Sequence, residues 1–188
     1  MTISGPAIAR LALLGLVTSI LQLTAASQVS IFGVPMDLSP LIVASVGFLT
    51  GSVPGSVFGF CFGLFADTAL MQTLGVTSLV LTAVGYGAGR VRELRDPAHG
   101  LAPVAVGAAA TAIAALGITL LQFLLGVEAP VSFLLAREIL ATVLLNGVIA
   151  TPVYALVRRV LLPALPEDPR RRRRRAYTTG GLSPLSRA

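Results

Sequence analysis

The residues with chemistry to offer in this 188-residue chain are few, and apolar neighbours surround them. Asp67 sits in the run "GLFADTALMQTLG", Asp37 opens "MDLSPLIV", and Gln122, Arg137, Glu138 and Asn146 fall in two later apolar stretches. Charged groups in such surroundings are costly to bury, so they face protein and pair with one another. Nucleophilic catalysis needs a base beside its nucleophile. Here the serines occur singly, and the one histidine, His99, marks a turn in "RDPAHG". Neither a Gly-rich phosphate loop nor an HExxH or CxxC spacing is present, and the one cysteine, Cys61, lies inside an apolar run. This pattern argues against a hydrolase or transferase and calls for no cofactor and no metal. Binding, transport and scaffolding remain.

The elements that must position these groups follow from composition. The chain is 55% hydrophobic and 12% charged, with a mean hydropathy of +0.87, whereas a soluble domain carries about a quarter charged residues. Apolar runs near the length of a membrane span recur along it. Four spans are direct: 7–26, 73–89, 101–125 and 131–157. The apolar region 38–71 would make about 50 Å of helix against a hydrocarbon core of about 30 Å. "TGSVPG", residues 50–55, is the natural break, because Pro54 lacks an N–H and disfavours helix in the residue before it. The expected spans are therefore 36–50 and 53–71. The fold class is an all-α integral membrane protein, a six-transmembrane-helix bundle over residues 1–163. Its N- and C-termini are expected to be cytoplasmic. The first span also resembles a secretory signal, with Arg10, an apolar core and Ala25-Ala26-Ser27; an uncleaved span is the preferred reading, because more spans follow.

Charge placement tests this count. All 14 basic residues are arginine, and the formal net charge is +6. With six spans, Arg90, Arg92, Arg95, Arg158 and Arg159 all fall inside, and the outer loops "SQVSIFGV", "QT" and "GVEAPV" hold no basic residue. That satisfies the positive-inside rule, which five spans would break. The tail 164–188 is bounded by prolines, rich in Gly, Ser and Thr, and expected to be disordered and cytoplasmic. Its run Arg170, Arg171, Arg172, Arg173, Arg174 and Arg175 is suited to anionic lipid rather than to nucleic acid, with a protein partner or phosphorylation of Thr178 or Thr179 as the alternatives for the tail.

Gly47, Gly51, Gly55, Gly59 and Gly63 recur every four residues, and the next step is Asp67. Small residues at this spacing let a second helix backbone approach closely, where lipid supplies no hydrophobic drive. Gly55, Gly59 and Gly63, with Gly85 and Gly89 around Tyr86, form a packing ridge. Whether it serves helices of this chain or a partner's helix is open at this point. The ridge turns Asp67 toward helices. Asp67 and Arg137 fall at similar expected depths near the outer surface, so a pair between them is expected, with Glu138 as a competing acceptor. Asp37 and Gln122 complete the outer polar zone. Glu138, Thr142 and Asn146 make a stripe that either lines a cavity or binds a neighbouring helix. A helix-to-helix clamp without a ligand is the simpler role, and Arg137 can alternatively snorkel to lipid phosphate.

The order of these parts resembles the rod shape-determining protein MreD family. The resemblance rests on the block 36–94: an aspartate opening a short span, a glycine-punctuated span, "GLFAD", an "LG" turn and "VGYGAGR". The matching residues are Asp37, Gly59, Gly63, Asp67, Gly75, Gly85, Tyr86 and Gly89. Phe65-Ala66, where leucines are usual, and the arginine tail depart from it. The resemblance implies a non-enzymatic scaffold of the cell-elongation machinery in the bacterial inner membrane. Implied partners are an MreC-like scaffold protein, the RodA–penicillin-binding-protein synthase and MreB. The family's fold is similar to that of the substrate-binding subunits of energy-coupling-factor transporters. The alternative role is therefore a vitamin or metal uptake subunit.

Overall fold

The computed structural model describes residues 5–26, 30–31, 34–35, 37–94, 102–126, 133–161 and 163. Among the described residues there are six helices: α1 (Gly5–Ala26), α2 (Ser39–Thr50), α3 (Ser52–Ala69), α4 (Val76–Leu94), α5 (Ala102–Leu124) and α6 (Phe133–Leu161). A small antiparallel ladder, β1 (Ser30–Ile31) with β2 (Val34–Pro35), lies between α1 and α2. The tail carrying Arg170 to Arg175 lies outside the described residues, as do Arg95 and His99.

The long apolar region does break in two, but glycine makes the break. Gly51 has φ +107°, and α3 begins at the next residue. Pro54 falls in the first turn of α3, where its missing N–H has no intrahelical partner to lose. Positive φ at Gly75 and Gly126 likewise marks the start of α4 and the turn after α5.

Helix α2 is the hub of the bundle. Ser39 to Phe48 are all buried, and Val43 and Val46 are 0% exposed. The surrounding helices present apolar residues outward, among them Leu13, Val57, Leu79, Leu116 and Leu144. Such an apolar girdle suits a lipid surround rather than water. By length and composition, Ala102–Leu124 and Leu135–Leu161 qualify as candidate membrane spans. The chain is thus a helical, membrane-associated protein.

The glycine ladder is spent inside this bundle. A methyl group at Gly55 would meet the Gly47 Cα and the Gly85 carbonyl; at Gly59 it would meet the Leu81 carbonyl, and at Gly63 the Ser78 backbone. Gly85 faces the Gly55 carbonyl and Gly89 faces Gly51 and Ser52. Backbone therefore lies against backbone along the whole antiparallel α3–α4 pair, with Gly47 bringing α2 in at one rung. Of the two readings left open by the sequence, internal packing is the one realised. Gly87, by contrast, has open space around it.

Replacing Gly87 with Ala should raise stability by about 0.5–1 kcal/mol, the usual gain at an open helical glycine. Gly59→Ala should lower it by about 1–3 kcal/mol, because its methyl cannot be relieved by a side-chain rotation. Thermal unfolding of the purified protein in detergent reads both signs.

Candidate functional site

Asp67 occupies the last turn of α3 and is 1% exposed. Its Oδ2 accepts hydrogen bonds from the Gly75 N–H (2.8 Å) and the Ser78 N–H (3.4 Å). The carboxylate therefore caps the start of α4, where unpaired N–H groups and the helix dipole favour negative charge. Its Oδ1 is buried without a partner. Nearby, the Ser78 hydroxyl donates to the Phe60 carbonyl (3.1 Å) and ties the same two helices.

The opposite end of the hairpin repeats the arrangement with roles exchanged. Glu93, in the last turn of α4, accepts from the Ser52 N–H (3.0 Å) and the Ser52 hydroxyl (2.7 Å) at the start of α3. Arg90 pairs with its other oxygen at 3.3 Å. These bonds, the backbone one first, hold the Glu93 carboxyl below the ordinary glutamate range. Each helix of the pair is thus capped by a carboxylate from the far end of the other. The sequence reading singled out Asp67 but missed Glu93. Within "RVREL" a glutamate among arginines reads as a solvated ion, and only the 41-residue return of the chain reveals Ser52 as its partner.

The expected Asp67–Arg137 pair is not formed. Asp67 is turned into α4, whereas Arg137 and Glu138 are exposed near the start of α6. Asn146 belongs to a separate cluster. Its amide donates to the Asp37 carbonyl (2.8 Å) and to the Thr111 hydroxyl (3.1 Å), which itself donates to the Gly107 carbonyl. Asp37 Oδ1 accepts from Gln22 (3.0 Å) and from the Ser39 N–H (3.0 Å), and Gln22 Oε1 accepts from the Leu38 N–H (3.3 Å). This cluster ties α1, α5 and α6 to the start of α2. Gln122 lies half-buried near the end of α5, outside the hydrogen bonds of either cluster. The polar zone expected as one unit is therefore divided.

Toward the arginine-bearing end, a shallow crevice runs between α2, α5 and α6, lined by residues such as Leu41, Ser45, Phe48, Gly107 and Tyr154. At this end Arg10 donates to the Val160 carbonyl (3.3 Å) and Arg92 to the Leu49 carbonyl. Arg90 lies 5.9 Å from the Tyr86 ring centroid, and Arg158 and Arg159 are exposed. The arrangement supplies helix fixation and a cationic rim. Among the described residues it does not bring a nucleophile together with a base.

A family model described as rod shape-determining protein MreD matches residues 7–161. No curated protein and no solved structure matches the chain.

Asp67→Ala should cost about 0.5–2 kcal/mol, the usual range for loss of a side-chain cap. Because Asp67 and Arg137 do not meet, Asp67→Asn and Arg137→Gln should be additive in a double-mutant cycle to within about 0.5 kcal/mol. Acid titration checks the second cap. The folded-state Glu93 carboxyl is the stronger acid, so unfolding takes up a proton at acid pH. Its contribution is complete above the ordinary glutamate range and fades as pH falls through the depressed folded value. Glu93→Gln should flatten that part of the stability–pH curve.

Proposed function

This chain belongs to the MreD family of rod shape-determining proteins, and from that premise we propose that it serves as a non-enzymatic membrane scaffold of the bacterial cell-elongation machinery. The observation that carries this reading is the use of the polar groups. Asp67, Glu93 and Asn146 are committed to helix starts and interhelical bonds. A molecule built this way presents a shape to partners. A role in rod shape then follows by holding other membrane proteins in place, with an MreC-like protein as the first partner. The RodA–penicillin-binding-protein synthase and MreB are further candidates.

The proposed topology has six membrane helices with both termini cytoplasmic, in the bacterial inner membrane. Spans 7–26, 36–50, 53–71, 73–89, 101–125 and 131–157 make up the membrane domain. Support comes from the gathering of Arg10, Arg90, Arg92, Arg158 and Arg159 at one end of the bundle, since cytoplasmic ends carry the excess of arginine. The tail beyond residue 163 would add contact with anionic lipid, worth about 1 kcal/mol per arginine near the surface.

Because the glycine ridge is internal, a partner's helix must use an outward face. Those faces include Val57, Phe60 and Leu64 on α3 and Leu79, Ala83 and Gly87 on α4. Photoreactive residues at positions 64 and 87 should capture the partner in cells, while one at the internal position 63 should not. Depletion should widen or round the cells. Unchanged width and elongation on depletion would sink the scaffold reading. A stoichiometric small molecule on the purified protein would favour the uptake reading instead.

A further inference from the structure

Two arginines and a tyrosine hydroxyl gather where α2 ends. Arg92 of α4 donates to the Leu49 carbonyl. The Tyr154 ring of α6 stands edge-on to Phe48, with 5.9 Å between ring centroids. Arg158 follows Tyr154 by four residues, on the same face of α6. The charges of Arg92 and Arg158 are both felt at the Tyr154 hydroxyl, so the three polar groups form one cluster. Two of them are held in place: Arg92 is half-buried and tied to α2, and Tyr154 is half-buried against Phe48. Arg158 is exposed beside them.

The cluster stands at the mouth of the crevice between α2, α5 and α6. The lips of that seam are half-buried: Pro103 and Val106 near the start of α5, and Tyr154 itself. Helix α5 begins here with no acidic residue in its first turn, so the positive end of its dipole adds to the arginines. Like charges gathered this way are stable only when an anion joins them. Among the described residues the carboxylate at this end is Glu93, and Ser52 and Arg90 already engage it. An apolar seam that ends in two cations and a hydroxyl donor has the layout of a phospholipid, with an acyl chain along the seam and the phosphate at its mouth. Basic pockets between membrane helices bind acidic headgroups in the same way.

We propose that this seam seats an anionic phospholipid, with its phosphodiester between Arg92 and Arg158 and the Tyr154 hydroxyl donating to a phosphate oxygen. The planar guanidinium fork suits phosphate oxygens. Charge selects the headgroup. The ammonium of a zwitterionic lipid would lie against two guanidinium groups, whereas a glycerol headgroup brings no positive charge. The site belongs to the folded bundle and is separate from the arginine run of the tail. It rests on the membrane reading of the chain and not on the scaffold role, which stands or falls on the cell-shape and capture experiments.

The test is thermal unfolding of the full-length protein in neutral detergent, titrated with phosphatidylglycerol, phosphatidylcholine or sodium phosphate at equal ionic strength. Phosphatidylglycerol should raise Tm by several degrees and saturate, as mass action requires of a ligand bound only by the folded state. Phosphatidylcholine and inorganic phosphate should do much less. Arg158→Gln should raise the half-saturating lipid about fivefold, as about 1 kcal/mol per arginine implies. Tyr154→Phe removes a hydroxyl and no charge, and should raise it several-fold as well. Arg171→Gln removes the same charge from the tail and should leave the midpoint in place. No phosphatidylglycerol shift, or an equal one with phosphatidylcholine, overturns the proposal. An equal shift with inorganic phosphate also overturns it and makes the cluster a site for the free anion. So does a lipid midpoint that Arg158→Gln and Tyr154→Phe leave unmoved, or that Arg171→Gln moves as far as Arg158→Gln, which assigns the lipid to diffuse charge.

Discussion

Everything in this bundle rests on how closely α3 and α4 approach. In lipid, helices gain little by hiding apolar side chains from one another, so attraction must come from backbone contact and from polar groups. The α3–α4 pair uses both. Glycines remove the side chains that would hold the two backbones apart, and a carboxylate at each end joins one helix's last turn to the other's first. The caps also satisfy the helix starts. N–H groups there have no partner within their own helix, and Asp67 and Glu93 supply acceptors from the other helix of the pair.

Helix α2 depends on that pair. Its Gly47 lies against the Gly85 carbonyl, and its end at Leu49 receives Arg92 from α4. The opposite end is held by Asn146, Gln22 and the Asp37 carboxylate. A short helix with no lipid-facing side is thus secured at both ends by polar bonds and along its length by packing. The outer helices need only one protein-facing stripe each, and the rest of their surface is free to match lipid.

Much of this was legible in residue order. The four-residue glycine spacing ending on Asp67 identified the packed face, because small side chains at that period have few other uses in membrane helices. The division of the apolar region after Thr50 was legible too, from length, although Gly51 rather than Pro54 makes the turn. Partners distant in the chain were not legible. Asp37 opens an apolar run and so looks like an isolated surface residue, yet its carbonyl is held by an asparagine 109 residues away. Pairing by charge failed for the same reason. Asp67 and Arg137 were matched by expected height, but height says nothing about which way a side chain turns around its helix. The nearer partner was a row of backbone N–H groups, which a scan for opposite charges overlooks.

The antiparallel register of α3 and α4 carries one more consequence. Its rungs join Gly89 to Ser52, Gly85 to Gly55, Leu81 to Gly59, Ser78 to Gly63 and Gly75 to Asp67. One residue inserted midway along α3 would rotate everything beyond it by about 100° and swing the remaining glycines off the contact. No exchange of side chains elsewhere repairs such a slip. Between Gly51 and Glu93 the chain can therefore vary widely in its lipid-facing letters while its length is held, so that spacing rather than composition is the heritable property of this hairpin.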